Sequence, residues 1–246
     1  WKRGGGYSGD TGAGADGSLT GFPSQTAQRG HAPRCAVWHF LSRPRIWTTT
    51  RVDLDLSRPQ VMGIVNVTPD SFSDGGQSTT SPEALRHCER LLREGADLLD
   101  IGGESTRPGS SPLSLAEELE RVLPVVRGAI SLGMPISVDT YKPEVMRAVL
   151  DLGVDAINDI WALRQGDAQA VVASHPRAGI CLMHMHRDPQ TMQMAPRVGD
   201  ALALVTDFLR ERASALTALG VYPTRTGPFP GMGCGTPCLF IHFCRP

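Results

Sequence analysis

The chain has 246 residues, of which 41% are hydrophobic, so it can bury one sizeable core. With 24 basic and 25 acidic residues it lacks the basic excess of a nucleic-acid-binding surface, and nucleic acid is not an expected partner. Its apolar runs are far shorter than the ~20 residues that span a bilayer, and no apolar segment follows Lys2 and Arg3 as in a signal peptide, so we expect a cytoplasmic protein without a membrane partner.

Three regions differ in composition. Residues 1–48 are rich in Gly, Ser, Thr and Arg without a period of two or 3.6, which predicts a low-complexity, disordered extension. Residues 49–220 alternate between strand-like and helix-like segments. After residue 220 the pattern gives way to Gly, Pro and Cys, and we expect an irregular tail over residues 221–246.

The ordered region begins with an apolar run at 61–67, typical of a strand buried on both faces of a parallel sheet. Capping residues, glycine stops and apolar periodicity predict the other elements. Strands are predicted at 97–101, 136–138, 155–158 and 179–183, and helices at 81–94, 114–130, 143–152, 167–174 and 200–219. About five strand-helix units imply a parallel sheet with helical crossovers. The predicted fold class is α/β, an incomplete TIM (β/α)8-type barrel.

A barrel is favoured over an open doubly wound sheet because polar residues follow several successive strands. Each of these segments is glycine-rich or carries an acid, amide or hydroxyl. They are MGIVNVTPDSFSDGG at 62–76, DIGGESTRPG at 100–109, SVDT at 137–140, NDI at 158–160 and LMHMHRDPQTMQ at 182–193.

These five segments closely resemble those of dihydropteroate synthase, and the likeness covers roughly residues 49–220. The resemblance implies an eight-unit barrel that condenses 6-hydroxymethyl-7,8-dihydropterin pyrophosphate with p-aminobenzoate, releases pyrophosphate and uses magnesium. It also implies a homodimer and sensitivity to sulfonamides.

Asp139 and Asn158 are the predicted pterin-binding and catalytic residues. The pterin has an edge of N–H donors, for which an inward carboxylate and an amide are complementary partners. The family's matching residues bind the pterin. Alternatively, Asp139 is an acid at a helix start and Asn158 forms a turn.

A departing pyrophosphate needs hydrogen-bond donors and cations. Thr106 and Arg107 can supply a hydroxyl and a guanidinium, and the resemblance places the threonine on the pyrophosphate and Arg107 among the catalytic residues. Alternatively, Arg107 is a solvated loop residue. Asn66 matches the family's magnesium contact, and oxygen ligands suit this ion. It could instead fix the backbone of the next loop.

The loop after the first strand contains Asp70, Ser71 and Phe72, and the resemblance implies that this loop folds over the site. Alternatively, each of the three is a solvated loop residue. Met183 is expected to bind substrate or to pack beside it. His184 and His186 form a His-x-His pair that holds a metal in some barrel hydrolases. Because the pair lies within a synthase-like segment, the hydrolase is the lesser alternative.

The sequence departs from the family at Phe229, where a pterin-binding acid is expected, and it lacks the lysine that follows. The arginine-containing segments beyond also have no counterpart, so the sequence looks like a truncated or frame-shifted synthase with doubtful activity. Alternatives are an inactive remnant that still binds pterin pyrophosphate and a pterin-dependent methyltransferase. The latter would lack the Asn66 segment. Cys234, Cys238, His242 and Cys244 do not match a common zinc spacing.

Overall fold

Six parallel strands in sequence order form the framework of the computed structural model, which describes residues 46–68, 81–104, 112–185 and 201–229. An antiparallel hairpin precedes them. The strands are β1 (Ile46–Thr48), β2 (Asp53–Asp55), β3 (Met62–Asn66), β4 (Leu98–Gly102), β5 (Ile136–Asp139), β6 (Ala156–Asp159), β7 (Gly179–Met183) and β8 (Thr226–Phe229). The helices are α1 (Ser81–Arg93), α2 (Leu115–Ile130), α3 (Pro143–Asp151), α4 (Ala168–Ser174) and α5 (Ala201–Ala218).

Strands β3 to β8 pair only with their neighbours in sequence, as in a TIM-type barrel. Each connection between two successive strands contains one of the helices α1 to α5. The predicted helices and strands are confirmed to within a few residues. One boundary signal is visible in detail: Ser114 and Glu117 form the predicted capping box at the start of α2. The incomplete-barrel prediction is therefore confirmed at the level of topology.

The predicted irregular tail needs a correction at its start. Residues Thr226–Phe229 form β8, which pairs in parallel with β7, so the sheet has six strands where the sequence suggests about five. Gly227 and Pro228 have low strand propensity, and the free edge of β7 decides their conformation instead. Residues 230–246, with the cysteine cluster, lie outside the described residues.

The main core lies between the sheet and its helices. Alternate strand residues such as Val65, Ile101, Val138, Ile157 and Ile180 point outward and are completely buried. They pack against buried residues of the helices. This leaves the opposite strand positions to face the barrel interior, where the functional side chains lie.

The β1–β2 hairpin covers the amino ends of the strands. Trp47 packs with Leu98 and Ala156, each near the start of its strand. The Trp47 indole Nε1 donates a hydrogen bond to the Arg225 carbonyl at 2.9 Å. A Cβ at Gly179 would lie 3.1 Å from the Trp47 ring, so glycine allows this close approach. The hairpin thus fills the bottom of the barrel.

An ion pair between the buried Asp155 and the more exposed Arg51 fixes this hairpin in place. The Asp155 carboxylate pairs with the Arg51 guanidinium and accepts the Arg51 backbone N–H at 3.0 Å and that of Ile136 at 2.8 Å. Arg51 Nη2 also donates to the Met134 carbonyl at 2.7 Å. Because Asp155 precedes β6, these contacts join the hairpin loop to two strand starts. Ile46–Thr48, predicted as the end of the disordered extension, form strand β1 instead. Residues 1–45 lie outside the described residues.

Strand β3 has a described neighbour on one side only, β4. Ile64 faces the interior yet is 50% exposed, and Val61 just before the strand is 57% exposed. In a barrel with an open edge, inward-facing apolar residues of the edge strand remain exposed. No helix among the described residues is long and apolar enough to cross a membrane.

The hairpin anchor yields a stability prediction. Trp47→Ala should lower the free energy of unfolding by about 3–5 kcal/mol, since it empties the bottom of the barrel. Trp47→Phe should cost about 1 kcal/mol or somewhat more, because it removes the indole hydrogen bond and leaves most of the packing. Urea denaturation followed by circular dichroism measures both. Tyr222→Ala is the control, since Tyr222 is 73% exposed. Equal losses in Trp47→Ala and the control would contradict the anchoring role.

Candidate active site

The register of the sheet brings the predicted site residues into one row. Asn66 pairs with Gly102, Gly102 with Asp139, Asp139 with Asn158 and Asn158 with Cys181. All lie at or close to the carboxyl ends of their strands, where barrel enzymes carry their active sites. A Cβ at Gly102 would lie 3.4 Å from that of Asp139, so glycine leaves space beside this acid.

A second acid, Asp100, lies one inward-facing position below this row. Asn158 Nδ2 donates to Asp100 Oδ2 at 2.9 Å, which links β6 to β4 across the interior. Three buried oxygens here make no hydrogen bond of normal geometry: Asp100 Oδ1, Asn158 Oδ1 and Ser137 Oγ. The Ser137 hydroxyl lies near Asp100 without forming such a bond. Unpaired buried acceptors are costly, and a ligand rich in N–H donors would satisfy them.

Burial and mutual repulsion perturb the carboxyls. Burial raises the pKa of Asp139 well above its usual value, and the negative charges of Asp100 and Asp159 raise it further. Burial also raises the pKa of Asp100. The hydrogen bond from Asn158 lowers this pKa but offsets only part of the rise. The neighbouring Cys181 thiol has a raised pKa for the same reason, burial followed by the charge of Asp100, and is therefore neutral. Loss of a proton from these acids is therefore costly unless a ligand with N–H donors binds the carboxylates.

An apolar wall borders the acids at the rim. Ile160, Met183 and Met185 are buried together, with the rings of Tyr141 and Trp161 packed against them. The two rings meet edge to face at 6.4 Å between centroids. Met183, predicted to bind substrate, is thus part of a wall against which a flat ring can pack.

Asp159 shapes the turn that follows β6. Its carboxylate accepts the backbone N–H groups of Trp161 and Leu163, both at 2.7 Å. The turn holds Ala162 and Leu163 at φ of 52° and 59°, in the left-handed region that non-glycine residues rarely adopt. These two bonds stabilise the unusual backbone and so fix Ile160 and Trp161 at the rim.

Other predicted residues have different outcomes. Thr106, Arg107, Asp70, Ser71, Phe72 and His186 lie outside the described residues. His184 is buried and packs edge to face on Phe208 of α5, with ring centroids 5.1 Å apart, as a packing residue would. No group of three His, Cys, Asp or Glu residues that could hold a metal occurs in the described ranges.

Asn66 is the described residue expected to contact magnesium. It is exposed at the carboxyl end of β3 and presents an amide oxygen, a donor type that this ion accepts. One amide oxygen is compatible with magnesium that is bound mainly by phosphate oxygens and water. The residue fits a substrate-borne ion better than a metal held by the protein alone.

Comparisons with known proteins agree with this geometry. The family described as "Pterin binding enzyme" matches residues 62–236. The dihydropteroate synthase of Neisseria meningitidis serogroup B is 46% identical over 192 residues, which are 77% of this chain and 67% of the relative. That of Escherichia coli K12 is 44% identical over 183 residues, 74% of this chain and 64% of the relative.

The chain belongs to the dihydropteroate synthase family.

Solved structures support this membership. The Burkholderia cenocepacia synthase complexed with 7,8-dihydropteroate is 49% identical with a TM-score of 0.70, and the alignment covers 78% of this chain and 65% of that one. The Xanthomonas albilineans synthase with 4-aminobenzoic acid is 47% identical with a TM-score of 0.73, covering 79% and 69%. The chain therefore spans about two thirds of the length of these relatives. Family, transferase class and TIM-barrel fold, all predicted from the motifs, are confirmed.

Sequence reasoning missed Asp100 and Cys181 as lining residues. Asp100 lies inside the strand Leu98–Gly102. In the sequence it is also the first residue of the glycine-rich segment at 100–109, so it looks like part of the loop that follows. A signal was nevertheless present, because a charged residue inside a fully buried parallel strand is rare without a function. Cys181 gave no comparable signal.

The crowded acids predict an unusual dependence of stability on pH. A carboxyl whose pKa is raised on folding stabilises the fold only while protonated, so unfolding free energy should fall as pH rises from about 4 through the raised pKa of Asp139. Asp139→Asn removes this penalty. It should raise the unfolding free energy at pH 7 by about 1 kcal/mol or more and flatten the pH profile.

Denaturation with urea between pH 4 and 8 tests this expectation. Glu120→Gln, an exposed acid on α2, serves as the control and should follow the unmodified chain. If Asp139→Asn is less stable at pH 7 and keeps the original slope, the proposed charge conflict is wrong.

Proposed function

We propose that this chain binds 6-hydroxymethyl-7,8-dihydropterin pyrophosphate in the barrel mouth and condenses it with p-aminobenzoate to form 7,8-dihydropteroate and pyrophosphate. The buried oxygens of Asp100, Ser137 and Asn158 carry this proposal, because they face inward without normal hydrogen bonds. A relative has been solved with 7,8-dihydropteroate and another with 4-aminobenzoic acid, which supports ligands of this class.

The pterin would lie with its N–H edge on the acids and its ring against the apolar wall of Ile160, Met183 and Met185. Asp139 and Asn158 would each accept N–H bonds, and Asp100 would accept another through Oδ1. Ionised acceptors form the stronger bonds, so binding favours the charged carboxylates despite their raised pKa values. This orients the pterin and holds its reactive carbon toward the mouth.

In the reaction, the bond between the pterin methylene carbon and the pyrophosphate oxygen breaks, and its electron pair leaves with pyrophosphate. The amine nitrogen of p-aminobenzoate then bonds to that carbon and releases a proton to water. Thr106 and Arg107 would bind the leaving group through the hydroxyl and the guanidinium, while Asp70, Ser71 and Phe72 would border the mouth. When bound, magnesium would neutralise part of the pyrophosphate charge, and Asn66 is the residue that would contact it.

A second candidate function is pterin-pyrophosphate binding without efficient turnover. It is favoured by Phe229, which ends β8 in register with Met183, at the place where the family resemblance leads us to expect an acid. We also propose that the chain forms a homodimer, as the family resemblance implies, and that it is located in the cytoplasm, as the sequence composition suggests. Sedimentation equilibrium tests the homodimer.

Calorimetry with the pterin pyrophosphate and an assay of pyrophosphate release test the function. The chain should bind the ligand, and Asn158→Ala should weaken binding by about 10- to 100-fold, since it removes partners of a charged network. Phe229→Asp should tighten binding by a similar factor by adding an acceptor. Absence of binding in both the chain and the Phe229→Asp variant would refute the proposal.

Turnover separates the two candidates. With p-aminobenzoate and magnesium present, catalytic pyrophosphate release by the chain supports the synthase, and tight binding without release supports the binding protein. Tyr222→Ala, remote from the site, should match the unmodified chain in both measurements.

A further inference from the structure

A basic residue on α5 binds the turn that follows β6 and has no part in the proposed mechanism. Arg212 Nε donates to the Ala162 carbonyl at 2.9 Å, and Arg212 Nη2 donates to the Leu163 carbonyl at 3.2 Å. Arg212 lies 50 positions after Ala162, so these bonds join two distant parts of the sequence. The planar guanidinium can supply two N–H donors to one turn in a fixed geometry, which a lysine ammonium cannot.

The turn needs these donors because its backbone is both buried and strained. Ala162 and Leu163 adopt φ of 52° and 59°, a conformation that is unfavourable for residues with a Cβ. They are 0% and 2% exposed, so their carbonyls have little access to water. A buried carbonyl without a donor is costly. Arg212 therefore stabilises a backbone conformation that the sequence of the turn does not favour.

Asp159 binds the other backbone groups of the same turn. Its carboxylate accepts the N–H groups of Trp161 and Leu163, both at 2.7 Å. Burial raises the pKa of Asp159 to about 6, while these two bonds and the positive charges of Arg164 and Arg212 oppose the rise. Arg212 thus also favours the ionised carboxylate, the form in which both oxygens accept hydrogen bonds.

The turn carries part of the apolar wall at the rim. Ile160 is buried with Met183 and Met185, and Trp161 packs against this cluster. Both residues directly precede the strained pair. A displacement of the turn would therefore move Ile160 and Trp161 relative to Met183 on β7, and the shape of the wall would change.

Further contacts join α5 to the turn. In the amide orientation that hydrogen bonding favours, the side-chain oxygen of Gln169 on α4 accepts from Arg212. Arg164 Nε donates to the Trp161 carbonyl at 2.9 Å. The Arg164 guanidinium also lies 5.3 Å from the centre of the Trp161 ring and 5.4 Å from that of Phe208 on α5. The helix is thus linked to the turn directly through Arg212 and indirectly through Arg164.

We propose that Arg212 is a positioning residue for the apolar wall of the site. By binding two carbonyls of the turn, it fixes Ile160 and Trp161 against the place that the ring of the ligand occupies. This inference rests on the proposed function, since it takes the pterin as the ring that contacts the wall. Arg212 acts through the turn and not on the reacting atoms, because its hydrogen bonds are to the turn and to Gln169.

Fluorine NMR of the full chain labelled with 5-fluorotryptophan tests the structural step. The chain has four tryptophans, and Trp161→Phe and Trp47→Phe assign two of the signals. Arg212→Met should shift or broaden the Trp161 signal, because the turn loses two donors. The Trp47 signal should stay unchanged, since Trp47 packs at the amino ends of the strands. Equal changes in both signals would indicate a general disturbance of the fold and would overturn the proposal.

Calorimetry with 6-hydroxymethyl-7,8-dihydropterin pyrophosphate tests the functional step. Arg212→Met should weaken binding by about 5-fold or more, because the wall no longer matches the ring. Arg212→Lys should lose less, since it keeps the charge and one donor. Arg210→Met is the matched control and should leave the affinity and both signals unchanged. Arg210 is exposed on the same helix, and its ion pair is with Asp207, three residues earlier.

Melting curves ensure that each variant is measured while folded. If Arg212→Met does not fold, Arg212→Lys takes its place and should show the same changes to a smaller degree. An unchanged affinity or an unchanged Trp161 signal would overturn the positioning role and leave the proposed function intact. If the unmodified chain does not bind the ligand, the proposed function and this inference are both wrong.

Discussion

The in-register parallel pairing of β3 to β8 is the constraint on which the site depends. In such a sheet, residues of matching register lie in one row, so Asn66, Gly102, Asp139 and Asn158 follow one another across four strands although 92 positions separate the first from the last. A shift of one residue in any strand would turn its polar side chain toward the helices. The fully buried outward residues, such as Val65 and Val138, prevent that shift.

This arrangement creates an electrostatic conflict that the rest of the molecule must tolerate. Asp100 and Asp139 both face the barrel interior, and the charge of Asp100 makes ionisation of Asp139 more costly. Stabilising contacts are concentrated at the other end of the strands, where Trp47 fills the interior and Asp155 binds Arg51. The division follows the rule for barrels, with stability at the amino ends and chemistry at the carboxyl ends.

Much of the fold could be predicted because local signals agreed with the tertiary structure. The capping box at Ser114 and the apolar run before Asn66 each depend on a few adjacent residues. Strand β8 could not be predicted this way, since Thr226–Phe229 contains Gly and Pro and is ordered by the edge of β7. The hairpin was missed for a similar reason: Trp47 has no apolar periodicity around it, and its contacts are with residues far away in sequence.

The site was predictable to the extent that its residues belong to recognisable motifs. Asp139, Asn158 and Asn66 end apolar runs, so their position at the rim follows from strand geometry alone. The hydrogen bond between Asp100 and Asn158 could not be predicted, because it requires knowing that side chains of two non-adjacent strands meet in the barrel interior.

The position of Lys142 could not be predicted from the sequence either, because its partners belong to other elements of the fold. In the sequence Lys142 is one basic residue before a helix, a place where a cation has no favourable interaction with the helix dipole. Only the approach of Glu104 and Glu118 from two other elements makes the position favourable. The positions of the acids in the barrel interior are therefore set by strand register, whereas the ends of the connection between β4 and α2 are set by an ion pair. A charge substitution can alter the second without changing the first.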